Sequence, residues 1–244
     1  MADLDWLIAR PLAHRGLHDD QNGIIENTPS AFAAAIAARY GIECDLQISS
    51  DGEAMVYHDD TLSRLTETSA RLDAMTAAEL KRVTFRATQD HMMTLGELCD
   101  FVAGRAALLI EVKSPLAGDR RLAARAATVL SGYVGQAAVM SFEPAQIAAL
   151  HGIAPRLPRG MALRNHSWAD FSSAPRRAFV GIANALRAQP RFIAYPVANL
   201  PALLPRVTRN LFGLPLLAWT VRSEDDRRKA ARYADQMIFE AFRP

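Results

Sequence analysis

The chain has 244 residues, half of them hydrophobic and 22% charged, and its formal net charge is only +2. This length fits one α/β barrel or two small domains, and the absence of a basic block argues against a dedicated nucleic-acid surface. The only two cysteines, Cys44 and Cys99, allow a single pair, which argues against a disulfide framework.

The first residues give no sign of export. Residues 1–6 contain two aspartates where a signal peptide would have a basic region followed by an apolar core. No apolar stretch approaches the length of a membrane span. We therefore expect a cytoplasmic protein with no stable membrane insertion.

Apolar segments with strand character alternate with helical segments along the chain. Strands that alternate with helices are typical of a mostly parallel sheet with crossover helices. About eight such units in a chain of this length match a (β/α)8 TIM barrel, with an open doubly wound sheet as the alternative. The strand segments are Pro11–His14, Gly41–Ile48, Ala54–His58, Ala106–Val112, Ala137–Phe142, Gly160–Leu163, Arg191–Tyr195, Leu214–Val221 and Gln236–Phe239.

The dipeptide Asp51-Gly52 is a tight-turn signal between the second and third segments. If it forms a hairpin turn, residues whose numbers sum to about 103 face each other, which places Asp45 opposite His58. The third segment, Ala54–His58, is then an extra strand, and eight segments remain for the barrel.

The stretch Asp60–Arg105 is too long for a simple connection. Its helical character predicts a small, mostly helical insertion after His58-Asp59, beside the site. We therefore expect residues 1–244 to form one barrel domain with an insertion at about 60–105.

Three carboxylates are placed by strand geometry at one end of this barrel. Residues i and i+2 of a strand face the same side, so Glu43 and Asp45 share a face while Cys44 points into packing. Glu111 and Lys113 repeat this spacing after another apolar run. Because barrel sites lie at the carboxyl ends of the strands, the carboxylates can converge as oxygen ligands for one divalent cation, Ca²⁺ or Mg²⁺.

Two histidines and an arginine complete the set. His14 and Arg15 follow the first strand segment, and His58 ends the third. Histidine can transfer protons near neutral pH, and a guanidinium can hold phosphate oxygens. A single histidine at a strand end is more often structural, but two of them with paired carboxylates favour metal-assisted phosphoryl chemistry.

A series of motifs resembles, in order, those of the glycerophosphodiester phosphodiesterase family. The resemblance runs from about residue 10 to the C-terminus and is more specific in the first half. The motifs are His14-Arg15-Gly16, Glu26-Asn27-Thr28, Glu43-x-Asp45, His58-Asp59, Glu111-x-Lys113, Ser141-Phe142 and Trp219-Thr220-Val221.

This resemblance implies a TIM barrel with a small insertion after the His-Asp motif. It also implies metal-dependent hydrolysis of a small glycerophosphodiester to glycerol 3-phosphate and an alcohol. Carried over by position, it gives two catalytic residues, three metal ligands, two phosphate contacts and one aromatic residue of the substrate pocket. These are, in that order, His14 and His58; Glu43, Asp45 and Glu111; Arg15 and Lys113; and Trp219.

One departure from the family pattern lies at the last strand. Family members usually end on a Gly-Ile-Ile-Thr-Asp-like strand, whereas Met237-Ile238-Phe239-Glu240 stands here, with a longer carboxylate and no threonine. Two alternatives remain for the function. One is phospholipase D-like cleavage of lysophospholipids at the same site, and the other is a non-catalytic phosphate-binding barrel.

Overall fold

A computed structural model describes residues 4–113, 119–163 and 188–244. All nine predicted strand segments form strands in it. The strands are β1 (Leu12–Ala13), β2 (Gly41–Ile48), β3 (Ala54–Val56), β4 (Leu108–Val112), β5 (Ala137–Ser141), β6 (Arg159–Ala162), β7 (Phe192–Pro196), β8 (Leu216–Val221) and β9 (Gln236–Phe239).

Helices lie between most of these strands. The α-helices of the described ranges are α1 (Asp5–Ile8), α2 (Pro29–Ala37), α3 (Ala77–Leu80), α4 (Leu95–Val102), α5 (Arg121–Leu130), α6 (Pro144–Ile153), α7 (Leu203–Phe212) and α8 (Glu224–Tyr233). None of them has both the length and the apolar character that a membrane crossing would need.

Eight parallel strands close into a barrel. Going round it, the strands follow the order β1, β2, β4, β5, β6, β7, β8 and β9, and β9 pairs with β1 to complete the ring. Strand β3 stands outside this ring and pairs antiparallel with β2. The predicted TIM barrel with one extra hairpin strand is therefore confirmed.

The predicted register of the hairpin was wrong by one residue. Strand β3 pairs Val56 with Leu46, and the Tyr57 N–H donates to the Asp45 carbonyl at 3.0 Å, so Tyr57 rather than His58 lies opposite Asp45. The cause is the loop, which holds five residues instead of two: the Ser49 N–H donates to the Glu53 carbonyl at 3.0 Å. An odd number of loop residues shifts the pairing by one.

Successive strand residues alternate between two cores. Leu109 of β4 faces the barrel interior, whereas Leu108 and Ile110 pack against the surrounding helices. Cys44 likewise lies in the helix-facing core, as predicted. The same alternation points Glu43 and Asp45 into the barrel.

Helix α1 closes the amino-terminal end of the barrel. Its Leu7 packs in the interior core beside Leu12, and Gln236, the first residue of β9, donates from Nε2 to the Ile8 carbonyl at 2.8 Å. The barrel is therefore open at its other end, where the polar residues at the carboxyl ends of the strands lie.

The stretch after His58-Asp59 has a small core of its own. Tyr57, Leu62, Leu72 and Phe85 are buried together there. The expected mostly helical character was wrong, because outside α3, α4 and a single 3-10 turn this stretch consists of turns and isolated bridges. The turns and bridges of this stretch, rather than one long helix, bring its core residues together.

Helices α3 and α4 each begin at a capping box. Thr76 with Glu79 and Thr94 with Glu97 form capping boxes, in which each side chain satisfies a backbone N–H at the helix start. Helix α4 then leads into β4 and so serves as a barrel crossover helix. That residues 60–105 are an insertion within one domain stays a prediction.

Candidate active site

A cavity of about 300 Å³ opens at the carboxyl end of the barrel. One wall is charged and the opposite wall is apolar. The residues that line the cavity are His14, Arg15, Glu43, His58, Glu111, Lys113, Met140, Phe142, Ala162, Trp219, Thr220, Arg222 and Ile238.

Three carboxylates converge at the base of the charged wall. Glu43 and Asp45 come from β2, and Glu111 lies beside Asp45 on the neighbouring strand β4. One oxygen of each lies within 4.8 Å of the others, and their residues are only 1%, 1% and 7% exposed. Strand alternation and the parallel register thus bring the three predicted metal ligands together.

Three carboxyl groups share this buried cluster with two cationic side chains, Arg15 and Lys113. Burial, together with Asp45 and Glu111, raises the pKa of Glu43 well above its usual value. Burial and Asp45 likewise raise the pKa of Glu111. Glu43 Oε1 is buried without a hydrogen-bond partner. A buried carboxylate oxygen of this kind is stable when a cation pairs with it.

Lys113 bridges two of the three carboxylates. Its Nζ lies 2.7 Å from Glu111 Oε1 and 2.8 Å from Asp45 Oδ1. Burial alone would lower the pKa of Lys113, but the two carboxylates raise it, so the ammonium group stays charged. Burial would raise the pKa of Asp45, yet Lys113 and Arg15 lower it below its usual range.

Arg15 lies beside the carboxylate cluster on a backbone with a positive φ angle. Arg15 and Asn27 both have a φ of 57°, in the left-handed region that side chains rarely adopt. The two residues support each other, because the Asn27 N–H donates to the Arg15 carbonyl at 2.8 Å. Asn27 Nδ2 also donates to Asp45 Oδ2 at 3.0 Å, and the Arg15 N–H donates to Glu43 Oε2 at 3.1 Å.

The adjacent Gly16 lets this loop approach α2 closely. Its φ is +81°, and a Cβ on it would lie 2.8 Å from the Ala31 Cβ. A larger residue would therefore meet both backbone strain and a clash.

A chain of ion pairs joins Arg15 to the second histidine. Arg15 donates to Glu26 at 2.8 Å, and Glu26 accepts from both terminal nitrogens of Arg64, at 2.7 and 2.9 Å. Arg64 Nε donates to Asp59 at 2.6 Å, and Asp59 Oδ1 lies 2.5 Å from His58 Nδ1. His58 is thereby oriented through its Nδ1.

His14 is oriented in the same way by the last strand. Its Nδ1 contacts Glu240 Oε2 directly, and its Nε2 lies 3.9 Å from Glu43 Oε2. Glu240 Oε1 accepts from Arg222 Nε at 2.6 Å, and His18 lies 3.8 Å from the other oxygen. Burial lowers the pKa of His14, although Glu240 opposes this.

The apolar wall faces these charged groups. The rings of Phe142 and Trp219 meet edge to face with centroids 5.4 Å apart, and Met140, Ala162 and Ile238 extend the wall. The indole Nε1 of Trp219 is buried without a hydrogen-bond partner. A ligand in the cavity would thus meet charge on one side and aromatic surface on the other.

The structure brings together all eight residues that the sequence singled out. Seven of them line the cavity. Asp45 lies beneath it, in contact with Lys113 and Arg15. Arg15 and Lys113, expected to contact phosphate, are each engaged with carboxylates of the site.

Several supporting residues were missed at the level of sequence. Arg64, Arg222 and Asn27 had no role assigned, and Glu240 was noted only as a departure from the family pattern. The one available signal was for Glu240, because its position one residue after β9 gives it the same inward parity as Ile238. Arg64 lies in an irregular segment, where no periodicity fixes the direction of a side chain.

Comparison with known proteins agrees with this geometry. A curated glycerophosphodiester phosphodiesterase of Caldanaerobacter subterraneus subsp. tengcongensis is 25% identical over 243 aligned residues, covering 93% of this chain and 92% of that protein. Among solved structures, an Oleispira antarctica phosphodiesterase in complex with the product sn-glycerol-3-phosphate is similar in fold. Its TM-score is 0.76 at 20% identity, and the match covers 94% of this chain and 91% of that chain.

A second solved structure, a glycerophosphodiester phosphodiesterase of Thermotoga maritima, has a TM-score of 0.70 at 24% identity. The match covers 93% of this chain and 92% of that chain. The family model described as the glycerophosphoryl diester phosphodiesterase family matches residues 14–240. This match begins at His14 and ends at Glu240, the carboxylate that orients this histidine. The chain therefore belongs to the glycerophosphoryl diester phosphodiesterase family.

Proposed function

We propose that this enzyme hydrolyses small glycerophosphodiesters to glycerol 3-phosphate and an alcohol in the cavity of the barrel. The observation that carries the proposal is the convergence of three buried carboxylates on a charged wall that also holds His14 and His58. The Oleispira antarctica phosphodiesterase holds sn-glycerol-3-phosphate as its product, which supports a substrate of this class.

Glu43, Asp45 and Glu111 fit one divalent cation, Ca²⁺ or Mg²⁺. All their donors are oxygen atoms, which these hard cations prefer. The buried, unpartnered oxygen of Glu43 supports a cation at this cluster. Burial among other carboxylates raises the pKa of Glu43 and Glu111, which is the environment that a bound cation would stabilise. When bound, the cation would neutralise charge on the phosphodiester as a Lewis acid.

The two histidines are proposed to act as the acid and base pair. Each has a carboxylate at Nδ1, Glu240 for His14 and Asp59 for His58. A carboxylate there favours the tautomer that carries the proton on Nδ1, which leaves Nε2 to exchange a proton with the substrate. One histidine would take a proton from water or from a neighbouring glycerol hydroxyl, and the other would protonate the leaving alkoxide.

Arg15 and Lys113 are proposed to contact the phosphate. Both line the cavity beside the carboxylates, and their positive charge would stabilise negative charge that develops in the transition state. Trp219 is proposed to line the substrate pocket, since its ring forms part of the apolar wall.

The same apolar wall makes a lysophospholipid a second candidate substrate. Phospholipase D-like cleavage would use the same charged wall and would release the free head-group alcohol. The non-catalytic alternative, a phosphate-binding barrel, would need no acid and base pair.

A substrate panel tests the three alternatives together. The enzyme would be incubated with glycerophosphocholine, glycerophosphoethanolamine or lysophosphatidylcholine, each with Ca²⁺, Mg²⁺ or a chelator. We expect metal-dependent release of glycerol 3-phosphate from the first two compounds. Choline released only from the lipid would support the second candidate instead. Absence of turnover with any metal would support the non-catalytic, phosphate-binding barrel.

Replacing either histidine should remove most of the activity. We expect His14→Ala and His58→Ala to lower kcat by roughly 10²–10⁴, the usual contribution of a positioned acid or base. Circular dichroism should show an unchanged fold. His91→Ala, at an exposed histidine outside the cavity lining, is the matched control. Near-full activity in both cavity variants would rule out the pair.

Glu240→Gln tests whether the carboxylate orients His14. The side chain keeps its size but can no longer favour the Nδ1–H tautomer, so kcat should fall by roughly 10- to 100-fold, as when the partner of a functional histidine is lost. KM should change little, because Glu240 does not line the cavity. Glu224→Gln, at an exposed glutamate paired with Arg227, is the control. A rise in KM with unchanged kcat would contradict this role.

A further inference from the structure

His58 and Asp59 lie beyond the end of β3, where no strand ladder fixes their side chains. Gln47 of β2 anchors the backbone here, because its Nε2 donates to the His58 carbonyl at 3.0 Å and to Asp60 Oδ1 at 3.1 Å. The side chains of His58 and Asp59 are only partly buried. Their orientation therefore depends on polar contacts rather than on packing.

Apart from His58, the cation that contacts Asp59 within the described residues is Arg64. Its Nε donates to Asp59 Oδ2 at 2.6 Å, while Asp59 Oδ1 lies 2.5 Å from His58 Nδ1. Burial would raise the pKa of Asp59, but Arg64 and His58 lower it, so the carboxylate stays charged. Each oxygen of Asp59 thus has one partner, and Arg64 fixes the direction of the carboxylate that faces His58.

Arg64 is itself anchored by Glu26. Both of its terminal nitrogens donate to this carboxylate, at 2.7 and 2.9 Å. Glu26 is buried in the connection between β1 and α2, and it also accepts from Arg15 at 2.8 Å. Burial would raise the pKa of Glu26, but the two arginines lower it, so this carboxylate too stays charged. Arg64 therefore ties the exposed end of the hairpin to a buried group beside the site.

The whole guanidinium of Arg64 takes part in these contacts. Its Nε binds Asp59, and its two terminal nitrogens bind Glu26. A planar guanidinium with several N–H donors can hold two carboxylates in fixed relative positions. A lysine ammonium is a single charged point on a flexible stem and cannot reproduce this geometry. The contact pattern therefore needs arginine at this position rather than any cation.

The backbone that carries Arg64 is held by other groups. The Thr66 N–H donates to the Leu62 carbonyl at 3.1 Å, and the Arg86 N–H donates to the Leu65 carbonyl at 3.0 Å. Leu62 is fully buried in the small core of this stretch. Removing the guanidinium should therefore release its two carboxylate partners without unfolding the segment.

We propose that Arg64 is a positioning residue, which holds Asp59 so that His58 presents its Nε2 to the cavity. Arg64 is not among the residues that line the cavity, so it acts through Asp59 and His58. Arg15 has an ion pair of its own with Asp45 at 3.3 Å, which does not involve Arg64. The effect should therefore fall on kcat rather than on KM. This inference rests on the proposed role of His58 as acid or base.

Kinetics of Arg64→Ala, with the glycerophosphodiester that the wild type cleaves best, test this role. We expect kcat to fall roughly 10- to 100-fold, as when the partner of a functional histidine is lost, with KM nearly unchanged. Arg64→Lys should recover only part of this loss. Because the Arg64 side chain is 43% exposed, added guanidinium ion should enter the gap in Arg64→Ala and restore part of kcat.

A double variant separates positioning from a general structural effect. In His58→Ala, the further change Arg64→Ala should lower kcat no more, because the residue through which Arg64 acts is already gone. Circular dichroism should show the same fold for all variants. An additional loss in the double variant would overturn the proposal, and so would a rise in KM with unchanged kcat in Arg64→Ala.

The matched control is Arg71→Ala, which removes an exposed arginine paired with Asp73 in the same stretch of chain. It should have the activity of the wild type, and guanidinium ion should not raise its kcat. An equal loss in this control would overturn the proposal. Full activity of Arg64→Ala would overturn the role of Arg64 alone, whereas absence of turnover by the wild type would overturn the proposed function and this role with it.

Discussion

The site depends on one physical constraint: the buried carboxylates at the open end of the barrel must be balanced by positive charge. Glu43, Asp45 and Glu111 are almost fully buried, and one oxygen of each lies within 4.8 Å of the others. Arg15 and Lys113 supply two positive charges to three carboxylates, and burial raises the pKa of the two glutamates. A buried cluster of like charges is costly unless cations complete it. The same imbalance is what suits the cluster to a divalent cation.

The barrel makes this concentration of charge possible by separating it from the apolar core. The closed ring satisfies the backbone of each strand, and strand alternation sends Leu109 into the interior below and Glu111 into the site above. Helix α1 fills the opposite end with Leu7. The inward-facing carboxylates Glu43, Asp45 and Glu111 therefore collect at the carboxyl end of the barrel, where water or a ligand can reach them.

The strands and the site residues could be predicted because both follow from local spacing. Parity alone put Glu43 and Asp45 on one face, and the turn signal correctly indicated an extra strand. The exact register could not be predicted, since it depends on whether the loop holds two or five residues. The partner of His14 lies 226 positions away, at Glu240. Contacts between residues so far apart in the sequence form only when the barrel closes, and local spacing cannot predict them. The same holds for the contacts of Lys113 with two carboxylates.

We propose that Glu43, Asp45 and Glu111 form one cation site, and that Lys113 moves away from at least one of these carboxylates when the cation binds. The most direct measurement is an anomalous difference map from crystals of the enzyme grown with Mn²⁺ in place of Ca²⁺ or Mg²⁺. We expect one peak, roughly 2.0–2.6 Å from oxygens of Glu43, Asp45 and Glu111, with the Lys113 ammonium displaced from at least one carboxylate. The absence of a peak there, with Lys113 still bridging Asp45 and Glu111, would contradict it.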